Sequence, residues 1–205
     1  MSRIITIGRQ FGSGGRELGR RLAEELGIPY YDQEIVKEIA DRTLMPEAYV
    51  QQILEHRKIV ALPIHIARSF QLATDLQIAT NPGIEESAAI FSQQSKIILE
   101  MAEKSDCVIV GRCADYILRD QNPYRIFVYA DMESRMKRCR EYAPEHENLS
   151  DKELEKQILT IDKNRASYYN FHTGQKWGEP LNYDLCINTT KTSMETIVPV
   201  LAKML

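Results

Sequence analysis

The sequence predicts an α/β protein: a three-layer, doubly wound, five-stranded parallel sheet. Three observations carry this. Five short apolar runs with little alternation suit strands buried on both faces. Amphipathic helical stretches separate most of them. A glycine-rich loop follows the first run and opens a helix.

The strands are expected at Ile4–Ile7, Pro29–Asp32, Cys107–Gly111, Arg125–Ala130 and Tyr183–Asn188. The first helix is Glu17–Leu26, where Leu18, Leu22 and Leu26 recur at a spacing of four with charges between them. Met132–Tyr142, Asp151–Tyr169 and Met194–Leu205 repeat that pattern. Two stretches exceed a simple crossover. Residues 38–103 hold no convincing strand and read as helices broken near Pro46, Pro63 and Asn81-Pro82-Gly83. Residues 141–180 are rich in charge and Tyr. Both read as insertions over one end of the sheet within a single domain, 1–205. The core is then 1–37, 104–140 and 181–205.

The chain has 205 residues, 43% of them hydrophobic and 27% charged, so it can bury a core without disulfides. Its 26 Lys+Arg against 29 Asp+Glu give a net charge of −3, which offers no whole-molecule attraction to nucleic acid. No apolar run approaches the ~20 residues of a membrane span, and the N-terminus lacks the regions of a signal peptide. Cys107, Cys113, Cys139 and Cys186 form no CxxC pair or zinc pattern. They are expected to be reduced, in a cytoplasmic protein with no nucleic-acid or membrane partner. His56, His65, His146 and His172 form no triad or metal spacing.

The most informative stretch runs Ile4-Ile5-Thr6-Ile7-Gly8-Arg9-Gln10-Phe11-Gly12-Ser13-Gly14-Gly15-Arg16-Glu17-Leu18. Glycines allow tight turns and close approach, and successive amides at a helix start make an anion site. The plain alternative is a tight strand-to-helix connection. The loop fails G-x-x-x-x-G-K-[ST]: Arg9 or Gln10 stands at the first Gly, Gly15 or Arg16 at the Lys. It also fails G-x-G-x-x-G, because Glu17 follows. A looser dehydrogenase pattern nearly fits as Gly8, Gly12 and Gly14, with Asp32 where a ribose-binding acid would sit. The loop alone leaves kinase and dehydrogenase both open. Elsewhere, none of the ten tyrosines has Lys four residues later, as a short-chain dehydrogenase needs. Arginines instead gather at strand ends, as phosphoryl transfer needs.

In this the chain resembles the cytidylate kinase-like family of P-loop proteins. The likeness covers nearly the whole chain. It rests on Ile5-Thr6-Ile7 with Gly12-Ser13-Gly14-Gly15-Arg16-Glu17, on Tyr31-Asp32, and on Val108-Ile109-Val110-Gly111-Arg112. It continues through Asp162-Lys163-Asn164-Arg165-Ala166-Ser167-Tyr168-Tyr169 to Tyr183-Asp184-Leu185-Cys186-Ile187-Asn188-Thr189. The resemblance implies a P-loop kinase-like core, an acceptor-binding helical insertion at about 38–103 and a lid at about 141–180.

It also implies roles. Gly12, Ser13, Gly14 and Gly15 cradle the donor phosphates of ATP, and Arg16 supplies the cation of a P-loop Lys. Glu17 stands where a Thr supports Mg²⁺, and a carboxylate there can bind the ion itself; its plain alternative is an acid in a first helical turn. Arg112 and Asp32, with Lys37 and Asp115 near the family's remaining positions, would meet the acceptor. Cys113 replaces the family's Asp after Arg112, and the Arg expected beyond Asp32 is absent. Arg165 and Lys163 would act on the transferring phosphoryl group. Arg135 and Arg138, in the basic run Arg135 to Arg140, and Asp162 would belong to the lid, against the plain reading of a solvated face. Asp151, Glu153 and Glu155, with Glu145 and Glu147, read as a solvated acidic face. Trp177 could stack on a base or pack a hinge, and His172 could stack on a base.

The expected activity is ATP- and Mg²⁺-dependent phosphoryl transfer to a nucleoside monophosphate, such as CMP or dCMP, or to a related small acceptor. A second reading is a non-catalytic nucleotide-binding or interaction protein on the same fold, because the loop Lys and Ser/Thr are missing. A third is an NAD(P)-dependent oxidoreductase. Ile97-Ile98-Leu99 offers an apolar surface for a homodimer.

Overall fold

A computed structural model describes residues 3–55, 82–142 and 149–205. The strands are β1 (Ile4–Arg9), β2 (Tyr30–Tyr31), β3 (Cys107–Val110), β4 (Tyr124–Tyr129) and β5 (Leu185–Asn188). The helices described are α1 (Gly15–Leu26), α2 (Gln33–Thr43), α3 (Glu47–Glu55), α4 (Pro82–Lys104), α5 (Ala114–Ile117), α6 (Met132–Tyr142), α7 (Asp151–Thr173) and α8 (Met194–Met204). Pro63, His56, His65, Asn81, Glu145, His146 and Glu147 lie outside the described residues.

The strands form one parallel sheet in the order β2-β3-β1-β4-β5. Successive strand side chains point to opposite faces, which sorts the core into two layers. Ile5, Ile7, Val108, Val110, Ile126 and Val128 face α1 and α8, meeting Leu18, Leu22, Ile197 and Leu201. Ile4, Cys107 and Ile109 face the other way, onto α2, α3, α4, α5 and α7. Every residue of β3 is buried, which explains its unbroken apolar run.

Local signals set the element ends. Gly27, in the left-handed region at φ 66°, closes α1. Ser150 and Glu153 form a capping box at the start of α7. That helix runs four residues past Tyr169 to Thr173, before Gly174 caps it at φ 68°. The acids flanking this start are solvated: Asp151 pairs with exposed Arg140 at 2.6 Å, and Glu155 is exposed.

The dimer surface expected at 97–99 is corrected by the packing. Ile97 and Ile98 are 1% and 0% exposed, inside the core of this same chain. Their helix must cover the sheet, and these positions face inward. Cys107, Cys113, Cys139 and Cys186 are all free thiols. Among the described residues no helix is long and apolar enough to cross a membrane.

Candidate active site

The connections after β1 and β3 leave the sheet on opposite faces. β1 runs into α1, packed with α8, while β3 runs into α5 on the other side. Neighbouring strands that part in this way leave a crevice beyond their carboxyl ends. A cavity occupies that place. Gly8 and Arg9 line it from β1, Gly111 and Arg112 from the turn after β3, Asp115 from α5, and Arg165, Tyr168 and Tyr169 from α7.

The glycine loop stands beside it. Its carbonyls are held by side chains, one from the loop and the rest from outside it. Gln10 O accepts the Ser13 hydroxyl at 2.8 Å, Phe11 O accepts Arg135 Nε at 2.6 Å, and Ser13 O accepts Thr189 Oγ1 at 2.7 Å. Arg138 Nη1 reaches Gly12 O at 3.5 Å and its Nη2 donates to Thr189 O at 2.6 Å. A planar trans peptide points its N–H away from its C=O. The Gly12 and Gly14 amides therefore face away from Arg135 and Thr189. No side chain caps α1, whose N-cap is Gly14, so its first amides are open as well. The loop fits phosphate oxygens through the amides of Gly12, Gly14, Gly15 and the first turn. The turn requires glycine: Gly12 and Gly14 have φ 74° and 82°, and a Cβ on Gly14 would stand 2.5 Å from Met194 Cε. Ser13 is fully buried.

The charged residues nearby fall into separate groups. Arg16, half exposed, does not turn back to the loop; its Nε pairs with Asp32 Oδ2 at 2.5 Å. Asp32 is 1% exposed and does not line the cavity. Glu17 pairs with Arg21 at 2.6 Å on α1. Among the described residues, no three His, Cys, Asp or Glu side chains gather as a metal site. Glu17 is thus held in an ion pair on α1, and any Mg²⁺ at this place would take its other ligands from the donor phosphates and water. Lys37 is exposed on α2, outside the cavity lining.

Arg112 is buried at 7% exposure, with φ 59°, and its carbonyl accepts Gln94 Nε2 at 2.8 Å. A left-handed backbone at a buried non-glycine residue stores strain, which the surrounding contacts must hold. Its Nη2 reaches Gln51 Oε1 at 3.4 Å. Asp115 accepts the Tyr169 hydroxyl at 2.6 Å, and burial raises its carboxyl pKa. Arg165 lies 5.5 Å over the Phe11 ring and reaches Arg9 O at 3.4 Å. It joins the loop to the cavity.

Two lid candidates and the catalytic candidate Lys163 have other surroundings. Arg135 is 4% exposed and pairs with Asp162, so both lie beneath the loop. Lys163 sits on the outer side of α7 in a shallow groove with Lys152, Lys156 and Thr160, away from Arg165. The aromatic candidates pack on protein, and Trp177 lines the cavity as well. Trp177 meets Phe127 edge-on at 5.4 Å, and His172 stacks on Phe91 at 4.3 Å. Burial pushes the His172 pKa down to about 4.

Arg9 is the site residue that the motif reading passed over. It stands where a strict P-loop has its first glycine, is 8% exposed, and lines the cavity. Its one sequence signal was a charged residue ending an apolar strand.

Sheet order, loop and crevice together define a P-loop kinase fold. Solved structures agree on the class. A shikimate kinase from Bacteroides thetaiotaomicron aligns at 16% identity, TM-score 0.57, covering 100% of this chain and 98% of that one. A sugar kinase from Janibacter sp. HTCC2649 aligns at 14% identity, TM-score 0.53, covering 99% and 94%. An uncharacterized protein from Eubacterium ventriosum ATCC 27560 aligns at 29% identity, TM-score 0.69, covering 98% and 97%. No curated protein matches the sequence. The model of the cytidylate kinase-like family matches residues 4–191, and the chain belongs to that family.

Proposed function

We propose that the protein transfers a phosphoryl group from ATP to a nucleoside monophosphate, such as CMP or dCMP, or to a related small acceptor. The observation that carries this is the meeting of three arginines, Arg9, Arg112 and Arg165, on one cavity beside an uncapped glycine loop. Family membership supports the same reading. The amides of Gly12, Gly14 and Gly15 bind the donor phosphates. Arg112 binds the acceptor, and Arg165, bridging loop and cavity, orients and neutralises the group in transit. Transfer of this kind needs positioning and charge more than covalent chemistry. Bound ATP supplies the phosphoryl group. Residues 38–103 and 141–180 serve as acceptor-binding insertion and lid, in a cytoplasmic protein.

A second reading has its own support. Arg16 is engaged by Asp32 and the loop carries no Lys, which favours a nucleotide-binding protein without turnover. A coupled assay of ADP formation, with ATP, Mg²⁺ and a panel of monophosphates, separates the two. Acceptor-dependent ADP supports the kinase. Nucleotide binding with no ADP for any acceptor supports the second reading.

A further inference from the structure

Arg9 occupies a path kept clear by two glycines. A Cβ on Gly15 would stand 2.5 Å from Arg9 Cβ, and one on Gly111 would stand 1.6 Å from Arg9 Nη1. The stem thus leans on the glycine loop while the guanidinium lies across the exit of β3. Asp32 Oδ1 stands 3.7 Å from Arg9 Nη2, behind the cavity wall. The same carboxylate meets Arg16 at 2.5 Å, so Asp32 stands between two arginines and holds the Arg9 guanidinium from behind. Three guanidinia and one carboxylate, Asp115, line the cavity. Guanidinia converging on one cavity offer an anion several charge-assisted hydrogen bonds at once.

We propose that Arg9 is a third anion-binding residue of this cavity, and that Asp32 is the positioning residue that fixes its guanidinium. The role in turnover rests on reading the cavity as the acceptor subsite; anion binding does not require turnover. Asp32 then acts through Arg9, behind the wall that the acceptor touches.

Inorganic phosphate is the probe, titrated by calorimetry into the full chain. Arg9→Met and Arg112→Met should each weaken phosphate binding by about tenfold or more. Arg9→Lys, which keeps the charge without the planar fork, should fall between Arg9→Met and wild type. Asp32→Asn gives a diagnostic sign. Removing a negative charge strengthens anion binding if charge alone matters, whereas a lost positioning group weakens it. The proposal expects weaker binding. Gly111→Ala, which displaces the guanidinium without touching its charge, should mimic Arg9→Met and serves if that variant does not fold. Wild-type affinity in Arg9→Met or Gly111→Ala, with loss only in Arg112→Met, would overturn the proposal, as would a wild type that binds no phosphate. Arg9-dependent phosphate binding without ATP turnover upholds it and refutes the kinase. Turnover with an unchanged acceptor KM in Arg9→Met does the reverse.

Discussion

Arg135 and Asp162 form a buried ion pair beneath the glycine loop, and each grips a different atom of Phe11. Asp162 Oδ1 accepts the Phe11 amide at 2.8 Å, and Arg135 Nε donates to the Phe11 carbonyl. The pair comes from α6 and α7, so it ties both helices to the loop. Removing one member strands a buried charge. Arg135→Ala or Asp162→Ala should each cost about 3–5 kcal/mol. Urea unfolding checks this, and a loss below about 1 kcal/mol would make the pair a surface contact in effect.

Gly14→Ala places a side chain at φ 82° and against Met194. The backbone strain alone is about 1–3 kcal/mol. Thermal unfolding should drop accordingly, and the ATP-induced rise in Tm should shrink with it. An unchanged ATP response would remove Gly14 from the donor site.

The cavity arginines should separate by kinetics. Arg112→Ala should raise the acceptor KM by about ten- to a hundredfold, the worth of a lost charged hydrogen bond, with a smaller change in kcat. Arg165→Ala should lower kcat about a hundredfold or more and leave ATP affinity near wild type. Intact turnover in Arg165→Ala would refute its role.

His172 provides the pH dependence. Burial holds its folded pKa at about 4, against an ordinary 6.5. The folded state thus binds fewer protons than the unfolded chain between these values. Its contribution to stability is complete above pH 6.5 and is lost as pH falls toward 4. The Nε2 atom also meets Ser87 Oγ at 3.0 Å. His172→Gln, which does not titrate and can keep that hydrogen bond, should flatten the stability profile over this window. A parallel profile in wild type and variant would contradict the assignment.

Asp115 has the opposite sign. Burial raises its pKa above the ordinary carboxylate value, so the folded state favours the proton. Its stabilising contribution is complete below that ordinary value and is lost as pH rises through the raised one. Asp115→Asn can still accept from the Tyr169 hydroxyl and should remove that slope. Urea midpoints across the acid range compare the two, and a slope retained in the variant would contradict it.

β1 and β3 were legible because they lie inside the sheet and are buried on both faces, which leaves unbroken apolar runs. β1 extends two residues past Ile7, since Gly8 and Arg9 still pair with Phe127 and Val128. Charge on a helix was harder to read. Arg135 and Lys163 look alike in sequence, yet one is buried under the loop and the other faces outward. Nothing local distinguishes them, because their partners come from distant segments. Arg9 was hidden for the same reason: Asp32, Gly111 and Arg165 give it meaning only once the sheet brings them together. Ile97 and Ile98 misled in the other direction, since an apolar stretch on a helix does not say whether it faces a partner or the core.

The central claim is phosphoryl transfer between the loop and the arginine cavity. The most direct measurement is acceptor-dependent ADP formation, with ATP and Mg²⁺, in wild type and in Arg165→Ala. Wild type should turn over with at least one monophosphate, and Arg165→Ala should lose nearly all of that activity. Tight nucleotide binding with no acceptor-dependent ADP would contradict it.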